Sequence, residues 1–195
     1  VEVLDAQAFD LVVMGTHGRT GLARVLLGSV AEKVMRHAPC STLAIRPEVE
    51  VTPFKHVLCP VDFSESSQCA VDLAAEVVHP GGTGITLMHV VEVPVAYSRE
   101  SVTDGLSELE ERSTELLEIW ATRLRGKVSV PVSTQLRIGR PGPDVLAVLD
   151  KDRTIDLVVM GSHGKTGLKR VLLGSVAEKV VRHAGCPVLV ARKRA

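Results

Sequence analysis

A chain of 195 residues with 45% hydrophobic and 24% charged side chains is too apolar for disorder, and is long enough for one full domain and part of another. Its 23 basic and 23 acidic residues cancel, so no broad attraction to nucleic acid or anionic lipid is built in. Aromatic side chains make up only 3%, which leaves few stacking platforms for single-stranded nucleic acid and points to a core of Val, Leu, Ile and Ala, as in a buried parallel sheet.

In chain order, residues 1–47 read as the end of a helix or its loop, a strand at Leu11–Met14, a glycine-rich loop, a helix at Ser29–His37 and a strand at Thr42–Ile45. Residues 48–54, within the stretch Arg46–Lys55 that carries two prolines, form a linker, and 55–195 form a complete domain. His56–Asp62 is an apolar run, hence a buried strand, and Ser64, Ser66 and Ser67 are N-cap candidates for the helix that follows and stops at Pro80-Gly81-Gly82. Ile85–Val91 is a second strand. Leu106–Leu124 carries Leu109, Leu116, Leu117, Trp120 and Leu124 at helical spacing. Then come a strand at Val132–Ile138, a short helix at Asp144–Leu149, a strand at Leu157–Met160, a helix at Ser175–His183 and a strand at Val188–Ala191. The order βαβαβαβαβ predicts an α/β fold, an open doubly wound sheet of five parallel strands, with ligands outside the carboxyl ends of the strands.

The chain also repeats itself. Asp10–Arg46 laid on Asp156–Arg192 gives 28 identities in 37 positions without a gap. A period of 146 residues is about one domain, which reads as a tandem duplication whose first copy is incomplete. Such a half-domain buries too little surface to stand alone easily, and a first residue Val1 rather than Met points to missing upstream sequence.

The repeated loop carries the chemistry. Gly161-x2-Gly164-x9-Gly174-Ser175 follows a strand and enters a helix, and Gly15-x2-Gly18-x9-Gly28-Ser29 matches it. Glycines let a backbone approach phosphate, and a helix N-terminus offers free N–H groups and a positive dipole end. Ser175 could both cap the helix and bind phosphate; equally, the glycines could only shape a turn and the serine only cap. Gly164-Lys165-Thr166 mimics the end of a P-loop, but the position needing the other glycine is Val159, inside a strand, and the first copy has Arg19 for the lysine.

Four cysteines, Cys40, Cys59, Cys69 and Cys186, form no CxxC pair, and Cys59, Cys69 and Cys186 lie in apolar sequence. Buried reduced thiols are expected rather than disulfides or zinc. No apolar run reaches the ~18 residues of a membrane span and no leader opens the chain, so a cytoplasmic location without membrane contact is expected. The basic end Arg192-Lys193-Arg194 reads as a solvated tail.

PVDFSESSQCAVDLAAEV, LMHVVE and DLVVMGSHGKTGLKRVLLGSVAEKVVRHAGCPVLVAR together resemble the universal stress protein family in its tandem-domain form. The resemblance covers Phe54–Arg192 fully and Asp10–Arg46 as a half domain. It implies the adenine nucleotide alpha hydrolase-like fold and an ATP site, with magnesium admissible alongside ATP and no permanent cofactor or protein-only metal site. In that reading Pro60, Val61 and Asp62 contact adenine and ribose, and Asp62 accepts from a ribose hydroxyl; helix N-capping is its other reading, and one carboxylate could serve both. Val90 lies against adenine, and Met160 and Gly161 line the ribose. Gly164, Gly174, Ser175 and Val176 cradle the phosphates, while His163 and Lys165 are solvated. Gly15, Gly18, Gly28, Ser29 and Val30 match only the phosphate half.

The resemblance further implies pairing through the last strand, either between Thr42–Ile45 and Val188–Ala191 as an intramolecular pseudo-dimer or in a homodimer. The expected function is that of an ATP-binding stress-response module with at most slow hydrolysis and no catalytic residue. The alternative is a structural or interaction module of the same fold. No paired carboxylates or His/Cys cluster suggests an established enzyme.

Overall fold

The computed structural model describes residues 3–4, 9–16, 27–46, 53–92, 103–164 and 173–193. Its elements are β1 (Leu11–Gly15), α1 (Ser29–His37), β2 (Ser41–Ile45), β3 (His56–Pro60), α2 (Glu65–Val77), β4 (Gly84–Glu92), α3 (Thr103–Arg125), β5 (Val132–Gly139), α4 (Pro141–Lys151), β6 (Leu157–Gly161), α5 (Ser175–His183) and β7 (Val188–Ala191). The fold is α/β, as the alternation of strand and helix patterns predicts.

One sheet holds all seven strands in the order β1-β2-β7-β6-β3-β4-β5. The five strands from β3 onward are mutually parallel, which is the expected open doubly wound sheet. That sheet is larger than five strands because β2 joins its edge, antiparallel to β7. Leu43 faces Leu189, its own counterpart in the sequence repeat, so a pseudo-twofold axis passes between them. Joining the two edges satisfies a row of backbone donors and acceptors that would otherwise be open.

Helices cover both faces. Residues alternate along each strand, so Leu58, Met88 and Val158 enter a core shared with α1, α4 and α5. Val57, Cys59, Ile85, Leu87 and Leu157 point the other way, into a core with α2 and α3. Strands buried on both faces need continuous apolar runs, which is what β3, β6 and β7 have.

Several expectations change. The strand expected over His56–Asp62 ends at Pro60. One further ladder bond, Val61 N–H to the Met88 carbonyl at 2.8 Å, precedes a turn in which Phe63 has φ of 63°. The helix expected at Asp144–Leu149 is α4, longer at both ends. Pro141 starts it, where a missing N–H costs nothing, and the Asp144 carboxylate accepts from the Arg140 N–H at 2.7 Å.

The basic end is not simply a solvated tail. Arg192 Nη2 donates to the Met35 and Arg36 carbonyls, each at 2.8 Å, at the end of α1. Its repeat counterpart Arg46 donates to the Arg182 carbonyl at 2.8 Å, near the end of α5. Each arginine thereby satisfies carbonyls that a helix C-terminus leaves without an intrahelical partner, where positive charge is also favoured by the dipole. Lys193 is exposed, and Arg194 lies outside the described residues.

Candidate functional site

Strand order reverses between β3 and β6, and the loops leaving their carboxyl ends meet there. From β3 comes Asp62. Its Oδ1 accepts from the Ser64 N–H at 3.1 Å, the Ser64 hydroxyl at 2.6 Å and the Ser67 hydroxyl at 2.6 Å. The cap of α2 is Ser64, which accepts from the Ser67 N–H, so Asp62 supports the capping serine without itself capping the helix. Three donors on one oxygen fix the carboxylate.

From β6 comes the glycine loop. A Cβ on Gly161 would sit 2.6 Å from Ser66 Oγ and 2.8 Å from its carbonyl carbon, so this glycine allows α2 to approach the strand end. Gly164 lies opposite Asp62: a Cβ there would come 2.9 Å from Asp62 Oδ2. The loop is pinched at its base by the Gly174 N–H bond to the Ser162 carbonyl at 2.8 Å. Ser162 is tied in turn to Ala191 of β7, through its own N–H at 3.2 Å.

The N-cap of α5 is Gly174, with extended φ and ψ and no side chain capping the helix. Ser175 therefore stands at the first helical position, exposed, instead of capping as expected; Ser29 behaves the same way after Gly28 in α1. A helix start without a side-chain cap keeps amide donors for an anion.

The apolar candidates divide. Val90 and Met160 lie in one core cluster, on the α5 side of the sheet, and Val176 packs against that cluster. Val61 sends its side chain into the opposite cluster, away from Val90 and Met160. Pro60 is half-buried where β3 ends.

The earlier repeat preserves the loop base. Thr16 N–H bonds the Ile45 carbonyl at 2.9 Å, and Gly28 N–H bonds the Thr16 carbonyl at 2.8 Å, mirroring Ser162 and Gly174. Gly15, Gly28 and Ser29 thus hold the same places as their counterparts, but Val30 is 72% exposed where Val176 packs against the core, and Gly18, like Lys165, lies outside the described residues. Surroundings differ sharply. Leu11 and Val13 are 44% and 57% exposed, while their counterparts Leu157 and Val159 are fully buried by β3 and α2.

His163 is not the solvated loop residue expected. It is half-buried, its Nδ1 is 2.7 Å from Ser162 Oγ, and its N–H donates to Ser66 Oγ at 3.3 Å. Its Nε2 is buried with no partner among the described residues. Burial, aided by the nearby Arg192 charge, lowers its pKa. Two contacts at the site are not anticipated by the sequence reading, which takes Ser66 only as an N-cap candidate. Ser66 approaches Gly161 closely, and His89 bonds the Val61 carbonyl at 2.7 Å. No local pattern singles out His89, which stands next to Val90 but on the other face of β4.

None of the four cysteines, all among the described residues, forms a disulfide; Cys40 and Cys59 are buried, while Cys69 and Cys186 are half-buried. Burial pushes the Cys186 thiol up to about 11. Among the described residues, no group of three or more His, Cys, Asp or Glu could hold a metal ion, and no helix is long and apolar enough to cross a membrane.

The sequence pattern of the universal stress protein family matches residues 1–46 and 53–192. A universal stress protein of Mycobacterium tuberculosis is 34% identical over 194 residues, 94% of this chain; the chain spans 62% of that relative's length. The solved universal stress protein of Archaeoglobus fulgidus superposes on all of this chain and 66% of its own, with TM-score 0.66 and 26% identity. A universal stress protein solved in complex with cAMP shares the fold over 72% of this chain and 99% of its own, with TM-score 0.55 and 21% identity. The chain belongs to the universal stress protein family.

Proposed function

We propose that this chain is an ATP-binding stress-response module whose working site lies between the ends of β3 and β6. The observation that carries the reading is Asp62, fixed by two serines and facing Gly164 beside the open N-terminus of α5. A fixed carboxylate suits ribose hydroxyls, and uncapped helix amides suit phosphates. Val90 and Met160 supply an apolar surface for adenine on the same side of the sheet. The cAMP complex of a protein with this fold supports an adenine nucleotide as the ligand class.

In this reading Pro60 and the Val61 backbone border the base, Gly161 the ribose, and Gly164, Gly174, Ser175 and Val176 the phosphates. Magnesium would enter on the phosphates, neutralising their charge, since among the described residues no protein cluster of ligands is present. Nothing in the described site pairs an acid with a base, so hydrolysis is slow or absent.

Residues 1–47 are one tandem copy's carboxyl-terminal part, and their role is to pair β2 with β7 as half of a pseudo-dimer. Gly15, Gly18, Gly28, Ser29 and Val30 retain the phosphate half of a site, without a described counterpart of Asp62. Thermal shift with ATP tests the reading: the original chain is stabilised, and a Gly174→Val chain is not. Equal stabilisation of both would exclude the proposed site.

A further inference from the structure

The turn that presents Asp62 is strained, and the residues holding it include one with no other evident task. Phe63 has φ of 63°, a left-handed conformation unusual for a bulky residue. Such a backbone persists only where the surroundings over-determine it. Here a single peptide unit, Val61–Asp62, is gripped at both polar ends. Its N–H donates to Ser67 Oγ of α2 at 3.0 Å, and its carbonyl accepts from His89 Nδ1 of β4 at 2.7 Å. A carbonyl can only accept, so Nδ1 carries the proton.

The same imidazole also supports the strained residue. The Phe63 ring lies 4.5 Å from the His89 ring, centroid to centroid, and meets Trp120 of α3 edge-on at 5.5 Å. His89 therefore fixes both the carbonyl before Asp62 and the ring after it. The charged group within this turn is Asp62, whose Oδ2 faces Gly164.

We propose that His89 is a positioning residue for the nucleotide site: it holds the Val61–Asp62 peptide and the Phe63 ring so that Asp62 faces the ligand, and it links the site to Trp120 and α3. This rests on the nucleotide reading above for its ligand, but the grip itself exists in the free chain. Trp120 is the sole tryptophan in the sequence, so its emission reports the state of this turn.

The test compares the full chain with His89→Leu, which removes the donor, and His89→Asn, which restores an N–H donor at the same branch of the side chain. In the nucleotide-free chain, His89→Leu should speed exchange of the Ser64 amide, held by Asp62 Oδ1, about tenfold, as expected for one lost hydrogen bond. The same variant should weaken ATP binding by a similar factor and shift Trp120 emission. His89→Asn should bring exchange and affinity back to within about twofold, which a general loss of packing would not do. If His89→Leu does not fold, His89→Gln, with its donor displaced by one bond, takes its place with the same expected losses.

Unchanged Ser64 exchange in the donor-less or displaced-donor variant, or no recovery with Asn, would overturn the proposal. Failure of the unaltered chain to bind ATP would overturn the nucleotide reading alone, because the exchange measurement still decides whether His89 holds the turn.

Discussion

Asp62 Oδ2 lies 2.9 Å from the point where a Cβ would project from Gly164, so the carboxylate and the glycine loop share one space with no room for an added methyl. The carboxylate is not free to swing away, since its other oxygen holds Ser64 and Ser67. Gly164→Ala should therefore displace Asp62 or the loop. ATP affinity should fall about tenfold, the equivalent of 1.4 kcal/mol, with little change in the urea midpoint, because Gly164 is exposed. Calorimetric titration and urea unfolding of the same variant check both halves of that expectation.

Gly161 predicts the opposite pattern. Its missing Cβ makes room for the backbone of Ser66, whose carbonyl oxygen would be 2.9 Å away. Backbone cannot rotate aside as a side chain can, so Gly161→Ala should cost about 1–3 kcal/mol of stability by overpacking. Denaturant unfolding measures this directly.

The reciprocal arginines predict a loss of stability remote from the site. Arg192→Met strips donors from the Met35 and Arg36 carbonyls, and Arg46→Met strips one from Arg182. Each should destabilise by about 1–3 kcal/mol, the range for hydrogen bonds made by charged groups. The effects should add in the double variant, because the two guanidinium groups serve different helices. Urea unfolding of the three variants gives the comparison.

His163 sets a pH dependence. Its folded-state pKa lies below the ordinary value of 6.5, so the folded chain binds this proton less readily than the unfolded chain. The stability associated with neutral His163 is present above pH 6.5 and is lost as pH falls from there through the lower folded-state value. His163→Gln should flatten the fall of the unfolding free energy as pH drops below 6.5, relative to the original chain.

Much of the fold was readable because helices and strands declare themselves by periodicity. Ser29–His37, Ser175–His183 and Val188–Ala191 match their expected limits, since each has both a clear apolar pattern and a stop. The pairing of β2 with β7 was suggested by the Val-rich last strand and the family resemblance, and Leu43 opposite Leu189 gives its register. The departure is at the helix starts. Ser175 carried the right chemistry for a cap, but Gly174 occupies that position with extended backbone angles. The resemblance groups Val61 with Asp62; neighbours on an extended chain face opposite ways, and the Val61 side chain enters the far core. Ser66 and His89 were missed because their contacts depend on how α2 and β4 pack, which no local pattern encodes.

The central claim is that one site, built around Asp62 and Gly164, takes an adenine nucleotide. The most direct measurement is a calorimetric titration of the chain with ATP and magnesium, repeated with Asp62→Ala. The account predicts saturable binding of one nucleotide per chain, weakened at least about tenfold by the substitution, since Asp62 supplies charged hydrogen bonds worth roughly 1.5–3 kcal/mol. Absence of saturable binding, or equal affinity in the Asp62→Ala chain, would contradict it.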